Sequence, residues 1–295
     1  MAYAYYPGCS AESTARDQYE STRAVSRALG IELVEPKGWT CCGSTPAHQV
    51  NNDLAVALAA ANLLKVQKLG LDMVVSCASC FSRMKAANHE ITSDPAVRSR
   101  VADALGEDYD GSVRVRHFIE VVLEDVGIER FRKSLTRTLG GMKVASYYGC
   151  LLVRPAEVTG FDDPENPVSM DRLVGAMGGV GLDWPHKVEC CGASLTLTRP
   201  DLVVKLSDAV IGMAKDSGAD CIAVACPMCQ MNLDMRQEDI LKETGKRYDM
   251  PVMYITQLMG LCLGLPAHEL GLNKLINSPR EVVSAVRAVQ DSQGH

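Results

Sequence analysis

The sequence predicts an α/β protein of two similar domains, each a small, mostly parallel sheet flanked by helices. Ten of the twelve cysteines fall into two matching sets, one in each half of the chain. Short apolar strand candidates alternate with segments of helical spacing, and this order occurs twice. A length of 295 residues is enough for two domains of ordinary size.

Each cysteine set holds a leading cysteine, an adjacent pair followed by glycine, and a Cys-x-x-Cys. The first set is Cys9, Cys41, Cys42, Cys77 and Cys80, and the second is Cys150, Cys190, Cys191, Cys226 and Cys229. In both, 34 residues separate the adjacent pair from the Cys-x-x-Cys, whereas 31 residues separate the leading cysteine from the pair in the first set and 39 do so in the second. The repeat predicts one thiolate-rich site per half.

The order of strands and helices follows the cysteines. We predict strands at 2–6, 31–35, 73–76 and 114–116 and helices at 15–29, 47–69 and 118–123 in the first half. In the second half we predict strands at 143–148, 182–184, 222–225 and 252–254 and helices at 170–177, 200–217 and 256–263. The cysteines then stand where strands end, which is where open α/β sheets place their sites.

A boundary near Gly140 divides the chain into predicted domains 1–140 and 141–295. The proline-rich, acidic loop 154–168 has no counterpart in the first half, and this insertion explains the longer gap before the second pair. From Pro266 onward we predict one more helix, frayed at 292–295.

Composition narrows the class of function. A net charge of −6, 5% aromatic residues and the lack of a dense basic stretch argue against nucleic acid as a partner. The chain does not open with a basic, apolar signal segment, and its longest apolar stretches fall short of the roughly 20 residues that span a bilayer. We predict a cytoplasmic protein without a membrane span, in which cysteines serve as metal ligands or redox groups rather than disulfides.

Five cysteines per site favour an iron–sulfur centre over two alternatives. Zinc takes four ligands, and neighbouring cysteines do not easily offer both sulfurs to one small ion. A redox-active Cys-x-x-Cys would leave three cysteines per half unexplained. The ferredoxin-type run Cys-x-x-Cys-x-x-Cys-x-x-x-Cys-Pro is absent from the sequence, so we expect electrons to come from a partner that carries such clusters.

The motifs resemble those of the B-type subunit of heterodisulfide reductase over nearly the whole chain. They are Gly-Cys, Trp-Thr-Cys-Cys-Gly and Ser-Cys-Ala-Ser-Cys in the first half, and Gly-Cys, Glu-Cys-Cys-Gly and Ala-Cys-Pro-Met-Cys in the second. The resemblance implies that each five-cysteine set ligates one noncubane [4Fe-4S] cluster. It also implies that the clusters face one another across a pseudo-twofold axis, with a small disulfide between them.

The implied function is reduction of a disulfide to two thiols, or the reverse, in a catalytic subunit. In methanogens the family's disulfide joins coenzyme M to coenzyme B. The implied partners are an iron–sulfur relay subunit of the heterodisulfide reductase C type and a flavin-containing protein of the A type. The resemblance also implies an anaerobic or microaerobic organism. The alternative is a non-catalytic electron-transfer subunit of a quinone- or dehydrogenase-linked complex.

Other residues have two interpretations each. Arg83, Lys85 and Arg236 follow the Cys-x-x-Cys motifs and either meet an anionic substrate tail or are solvated helix charges. Trp39 and Trp184 either shield a cluster or pack in the core. Cys221 and Cys262 are predicted core residues. A proton donor is needed and a histidine could serve, but the sequence singles out none of His48, His89, His117, His186, His268 and His295.

Overall fold

The first half forms a four-stranded parallel sheet in the computed structural model, which describes residues 1–44 and 47–288, without the side chains of residues 48 and 49. Its strands are β1 (Ala2–Tyr6), β2 (Glu32–Val34), β3 (Met73–Val75) and β4 (Val115–His117). Its helices are α1 (Arg16–Ala28), α2 (Ala47–Val50), α3 (Asn52–Gln67), α4 (Ala78–Ser93), α5 (Pro95–Leu105), α6 (Phe118–Glu120) and α7 (Ile128–Ser134), with a 3-10 turn at Cys9–Glu12 and a π-helix at Val121–Gly127. The strand order is β2-β1-β3-β4.

The second half repeats this topology after a short strand, β5 (Arg137–Thr138). Its strands are β6 (Lys143–Tyr147), β7 (Val180–Gly181), β8 (Cys221–Val224), β9 (Val252–Tyr254) and β10 (Arg287–Ala288). Its helices are α8 (Cys150–Val153), α9 (Ala156–Thr159), α10 (Ser169–Ala176), α11 (Pro200–Asp216), α12 (Pro227–Met235), α13 (Gln237–Thr244), α14 (Ile255–Cys262) and α15 (Arg280–Ala285), with 3-10 turns at Ala193–Leu195 and Leu272–Lys274. The parallel order β7-β6-β8-β9 matches that of the first sheet.

The central strands of both sheets are buried apolar runs, as expected for parallel strands covered on two faces. In the first sheet, β1 pairs with β3 through Tyr5 and Val74. In the second, β6 pairs with β8 in the equivalent register through Ala145 and Ile222. The predicted α/β architecture is confirmed.

The two halves pack against each other in a reciprocal way. Helix α1 of the first half contacts α14 of the second, where the Ser21 and Thr256 hydroxyls lie 2.8 Å apart. Helix α10 of the second half contacts α6 and α7 of the first. A pseudo-twofold axis that relates the two halves would produce two such contacts, one on each side of the axis.

The division at residue 140 stays a prediction. It falls in the turn between β5 and β6, but β10, near the other end of the chain, pairs antiparallel with β5. The backbone N–H of Thr136 also donates to the carbonyl of Cys262. The last segment of the first half therefore packs against the second half.

Several predicted elements differ from the structure. The single helix at 47–69 is two helices, because the Asn51 side chain accepts from the Leu54 N–H and caps a new start. The strand at 182–184 is wrong, since β7 ends at Gly181 and the Trp184 indole, not its backbone, donates to the Ser146 carbonyl. The helix at 118–123 is the short α6 followed by the π-helix.

The segment after Pro266 is not one helix. It contains the 3-10 turn Leu272–Lys274, α15 and β10, and residues 289–295 lie outside the described part. The carboxylate of Asp234, on α12, accepts hydrogen bonds from the backbone N–H groups of Ile276 and Asn277. These bonds hold the chain in a non-helical conformation there.

Asp17 gives a pH-dependent test of the packing. Burial raises the pKa of Asp17 to about 6, so its ionised form is disfavoured in the folded protein, and native stability falls as pH rises from about 4 to 6. We expect Asp17→Asn to increase the free energy of unfolding by about 2–3 kcal/mol at pH 8 and by about half as much at pH 5. Denaturant unfolding at the two pH values measures this difference in the free energy of unfolding.

A matched control is Asp201→Asn. Asp201 also lies in the first turn of a helix, but it is exposed and paired with Arg199, so this variant should not increase the free energy of unfolding. An equal gain at both pH values would contradict the assignment.

Candidate metal-binding site

The ten patterned cysteines lie at the carboxyl edges of the two sheets. Cys9 follows β1 and Cys77 follows β3, while Cys150 and Cys226 hold the same places after β6 and β8. The adjacent pairs lie on the loops that follow β2 and β7. Each set therefore gathers at one edge of its own sheet.

Within each set the sulfur atoms approach one another. The Sγ atoms of Cys42 and Cys80 are 3.3 Å apart, and those of Cys191 and Cys229 are 3.5 Å apart. The second cysteine of each pair and both cysteines of each Cys-x-x-Cys are buried. Cys9, Cys41 and Cys190 are exposed and Cys150 is half-buried. The sets thus run from the interior to the surface, and their role as ligands stays a prediction.

Contacts between the sulfurs favour thiolates at particular positions. Hydrogen bonds with Cys41 and Cys80 lower the pKa of Cys42. In the second half, a hydrogen bond with Cys150 lowers the pKa of Cys190 to about 6. The thiolate is the form in which cysteine binds metal.

A tyrosine at the end of β1 and another at the end of β6 hold the adjacent pairs in place. The Tyr6 hydroxyl donates to the Thr40 carbonyl at 2.7 Å, one residue before Cys41. The Tyr147 hydroxyl donates to the Glu189 carbonyl at 2.6 Å, one residue before Cys190. The cysteine pattern did not point to this pair, although both tyrosines stand two residues before the glycine of a Gly-Cys.

Each tryptophan packs on one of these tyrosines. The rings of Trp39 and Tyr6 meet edge to face, with centroids 5.6 Å apart, and those of Trp184 and Tyr147 lie 6.3 Å apart. The predicted packing role is therefore the one that the structure supports.

The donor set and the backbone around it fit an iron–sulfur cluster. Gly8 and Gly149 have positive φ, and a Cβ on either would stand 3.2 Å from the sulfur of Cys80 or Cys229. The backbone N–H groups of Gly43 and Gly192 point at the sulfurs of Cys41 and Cys190, at 3.5 and 3.3 Å. Glycine lets backbone approach a cluster closely, and N–H donors to sulfur tune the potential of such a cluster.

The two sets meet at a seam between the halves. Cys77 and Cys226 each begin one side of it, and the N–H of Ala78 donates to the Ala225 carbonyl at 3.3 Å. A cavity of about 180 Å³ opens here. All five cysteines of the second set line it, and so do four residues of the first half, which are Ser44, Ala78, Ser79 and Arg83.

The insertion 154–168 closes one side of the seam. Its Phe161 packs edge to face on Phe81 and His117 of the first half, with centroids 6.2 and 5.7 Å away. The short α9, at the start of the insertion, also contacts α4. The insertion therefore joins the second half to the first, beside the cysteines.

Comparison with protein families identifies the repeated unit. Residues 3–85 and 144–234 match the family described as CCG, cysteine-rich domain, and each stretch contains one complete cysteine set. The chain belongs to the CCG cysteine-rich domain family.

Relatives of this CCG protein match it over most of their lengths. It is 32% identical over 274 residues to the membrane anchor subunit of the 8-methylmenaquinol:fumarate reductase of Wolinella succinogenes, covering 92% of this chain and 95% of the relative. It is 31% identical over 262 residues to the B-type subunit of the ferredoxin/F420H2-dependent CoB-CoM heterodisulfide reductase of Methanosarcina acetivorans, covering 86% and 87%. It is 32% identical over 274 residues to an Archaeoglobus profundus protein named as similar to the B-type subunit of heterodisulfide reductase, covering 90% and 91%. The resemblance seen in the motifs is confirmed.

A solved structure shares the fold of the CCG protein. It is described as the crystal structure of a hypothetical protein from Helicobacter pylori, and it matches with a TM-score of 0.76 at 11% sequence identity. The match covers 94% of this chain and 52% of that one, so the CCG protein spans about half of it.

Two features are absent from residues 1–44 and 47–288 of the CCG protein. None of the described helices has the length and apolar character needed to cross a bilayer. Nor does any group of three or more His, Cys, Asp or Glu side chains in these ranges form a site for a single metal ion.

The three basic residues after the Cys-x-x-Cys motifs have different surroundings. Arg236 donates to the Asp239 carboxylate at 2.9 Å, and the Lys85 ammonium lies over the Phe81 ring. Arg83 instead lines the cavity at the seam. The structure thus separates one cavity residue from two with protein partners.

Cys221 and Cys262 are core residues, as predicted. Cys221 lies in β8 and Cys262 ends α14, and both are fully buried. Burial raises the pKa of each thiol to about 12.

Among the described histidines, His117 lies at the seam. It ends β4, and its Nδ1 accepts from the Ile119 N–H at 3.3 Å. Burial lowers its pKa to about 4, so it is neutral near pH 7. The sequence did not single it out, although it corresponds to Tyr254 at the end of β9.

The other histidines do not converge on the cysteines. His89 and His268 are exposed, and half-buried His186 has Nδ1 3.2 Å from the Ala209 carbonyl oxygen. The side chain of His48 and the whole of His295 lie outside the described part.

Proposed function

We propose that this CCG protein is the catalytic iron–sulfur subunit of a heterodisulfide reductase-type complex. The reaction is reduction of a small disulfide by two electrons and two protons to two thiols, or the reverse. The observation that carries this proposal is the cavity at the seam, which joins the second cysteine set to residues of the first half. The relatives named for the B-type subunit of heterodisulfide reductase support it.

The cofactors that we propose are two noncubane [4Fe-4S] clusters. The first would be held by Cys9, Cys41, Cys42, Cys77 and Cys80, and the second by Cys150, Cys190, Cys191, Cys226 and Cys229. The close glycines and the N–H groups directed at sulfur support this ligand set. When bound, such clusters supply electrons one at a time, and a disulfide needs two.

The protein's own residues orient the site and restrict its access to water. Tyr6 and Tyr147 fix the two adjacent pairs, so that the sulfurs keep their spacing. Phe161 covers one side of the seam together with Phe81 and His117. The substrate would lie at the seam, between the two cysteine sets.

The partners that we propose are an iron–sulfur relay subunit of the heterodisulfide reductase C type and a flavin-containing protein of the A type. The exposed cysteines Cys9, Cys41 and Cys190 offer surface positions close to which a relay cluster can dock. A cytoplasmic location belongs to the same proposal.

A second candidate is a non-catalytic electron-transfer subunit of a quinone-linked complex. The Wolinella succinogenes relative, which is named as part of a menaquinol:fumarate reductase, favours it. Under this alternative the seam cavity would not bind a disulfide.

Anaerobic purification followed by metal analysis and paramagnetic resonance tests the proposal. We expect a brown protein with about eight irons per chain, on the basis of four per cluster. A disulfide added to the reduced protein should give a new paramagnetic signal. Zinc with little iron would exclude the metal assignment, and eight irons with no response to any disulfide would favour the electron-transfer alternative.

A further inference from the structure

We propose that Asn232 and Arg83 give the second metal centre a higher midpoint potential than the first, so that the second centre is reduced first. This inference rests on the proposed cofactors and goes beyond them, because the two ligand sets consist of the same five cysteines in the same order. Two side chains outside the ligand sets then make the centres unequal. The inference concerns the relative potentials alone, and in each reduction one centre takes up one electron from the added reductant.

The first observation is a hydrogen bond from Asn232 to a sulfur of the second set. Asn232 lies on α12 and is fully buried. Its side-chain nitrogen lies 3.0 Å from the carbonyl oxygen of Cys191 and 3.8 Å from the Cys191 sulfur. Because a carbonyl oxygen only accepts hydrogen bonds, the amide nitrogen of Asn232, and not its oxygen, must face Cys191. An N–H donor is therefore fixed beside this sulfur.

A donor at this place favours the reduced state of a metal centre. Reduction adds an electron, so the ligand sulfurs become more negative and accept a hydrogen bond more strongly. Hydrogen bonds to sulfur are among the factors that set the potential of an iron–sulfur cluster. Cys191 is buried, so bulk water does not weaken the interaction. Asn232 should then raise the potential of the second centre.

The position that corresponds to Asn232 in the first half holds Arg83. Arg83 comes three residues after Cys80, as Asn232 comes three residues after Cys229. Within the described part of the chain, the hydrogen bonds to sulfur in the first set come from cysteines and from the Gly43 N–H. The Gly43 donor has its match in the second half, so the side-chain donor is what distinguishes the two sets.

The second observation is the position of Arg83 beside the second set. It belongs to α4 of the first half, yet it lines the cavity together with all five cysteines of the second set. It is half-buried, and no carboxylate oxygen of the described chain lies within 4.0 Å of its guanidinium. This positive charge stabilises the negative charge that reduction adds to the second centre. Asn232, in the corresponding place, carries no charge that could do the same for the first centre.

The two side chains therefore act on the same centre, one from each half of the chain. We expect the potential of the second centre to exceed that of the first by about 60–120 mV, which for one electron is a 10- to 100-fold difference in the reduction equilibrium. An electron that enters the protein should then reside mainly at the second centre.

Variants that keep one centre each allow the two potentials to be measured separately. Cys150→Ala should keep the first centre and Cys9→Ala the second, with about four irons per chain in each protein. Redox titrations followed by paramagnetic resonance then give one midpoint potential per protein, and no disulfide is added. We expect the higher potential in the Cys9→Ala protein.

Asn232→Leu in the Cys9→Ala protein should lower the potential by about 30–60 mV, a three- to tenfold change in the reduction equilibrium, because one hydrogen bond is lost. Arg83→Gln should lower it by a similar amount. Arg83→Lys should keep part of the effect, because it keeps the charge. The same variants in the Cys150→Ala protein should change the potential of the first centre much less.

Asn62→Leu is the matched control. Asn62 is also buried and also supports the loop of an adjacent cysteine pair, since its side-chain oxygen accepts the Thr40 N–H at 2.8 Å. Its side-chain nitrogen donates to the Leu58 carbonyl at 3.0 Å and not to a sulfur. This variant should lower the free energy of unfolding but leave both potentials unchanged.

Equal potentials in the two single-centre proteins, or a higher potential for the first centre, would overturn the inference and leave the cofactors in place. Unchanged potentials in both Asn232→Leu and Arg83→Gln would also overturn it, since loss of stability or iron alone would make these residues structural. If Asn232→Leu does not fold, Arg83→Gln decides, because a half-buried arginine can be replaced without opening the core.

The outcome also separates this inference from the proposed function. Zinc in place of iron would end the cofactor assignment and the inference together. Unequal potentials that depend on Asn232 and Arg83, in a protein that reduces no disulfide, would leave the inference standing and remove the proposed reaction.

Discussion

Cys9→Ala should lower the iron content from about eight to about four per chain, and Cys150→Ala should do the same for the other site. Both cysteines lead their sets, and neither is buried, since Cys9 is exposed and Cys150 is half-buried. A loss of iron then reflects a lost ligand rather than a damaged core. The double variant should lose nearly all iron and its brown colour.

The chain provides its own controls for this experiment. Cys221 and Cys262 are fully buried and lie outside both sets. Cys221→Ala and Cys262→Ala should keep full iron, even though each removes a packed side chain. Full iron in Cys9→Ala, or halved iron in Cys221→Ala, would contradict the assignment of ligands.

Gly149→Ala should destabilise the protein by about 2–3 kcal/mol and also deplete the second metal site. Gly149 has φ 66° and ψ −177°, a conformation that is essentially restricted to glycine. The new Cβ would also stand 3.2 Å from the Cys229 sulfur. Denaturant unfolding gives the loss of stability, and metal analysis gives the iron content.

Gly160→Ala separates backbone strain from the effect on the sulfur. Gly160 also has positive φ, at 54°, but a Cβ there would meet no atom within 4 Å. This variant should lose only about 1–2 kcal/mol and keep its iron. Equal iron content in the two alanine variants would mean that the space beside Cys229 is not needed by a cluster.

The cysteine spacing predicted where the candidate site lies, because the residues that could bind metal are also the residues at which strands end. Cys9, Cys77, Cys150 and Cys226 each follow a strand, and parallel strands bring their carboxyl ends to one edge. The strands that carry them are apolar runs, so their positions could be predicted to within one or two residues.

Contacts between distant segments could not be predicted in the same way. Nothing in the local pattern around Phe161 indicates that it packs on Phe81 and His117. The segment near Ile276 stays non-helical because Asp234, 42 residues away along the chain, accepts its N–H groups. Arg83 and Arg236 both follow a Cys-x-x-Cys in sequence, but the sequence does not show that Arg236 pairs with the carboxylate of Asp239.

The insertion with Phe161 at the seam has an evolutionary consequence. A symmetric homodimer of one repeat presents the same residues on both sides of its axis, so it would carry two such insertions or none, and an arginine on both sides or on neither. Fusion of the two copies into one polypeptide removes that constraint. Each copy can then acquire substitutions that would be harmful if they were duplicated, and an unsymmetrical molecule can be held in a fixed orientation.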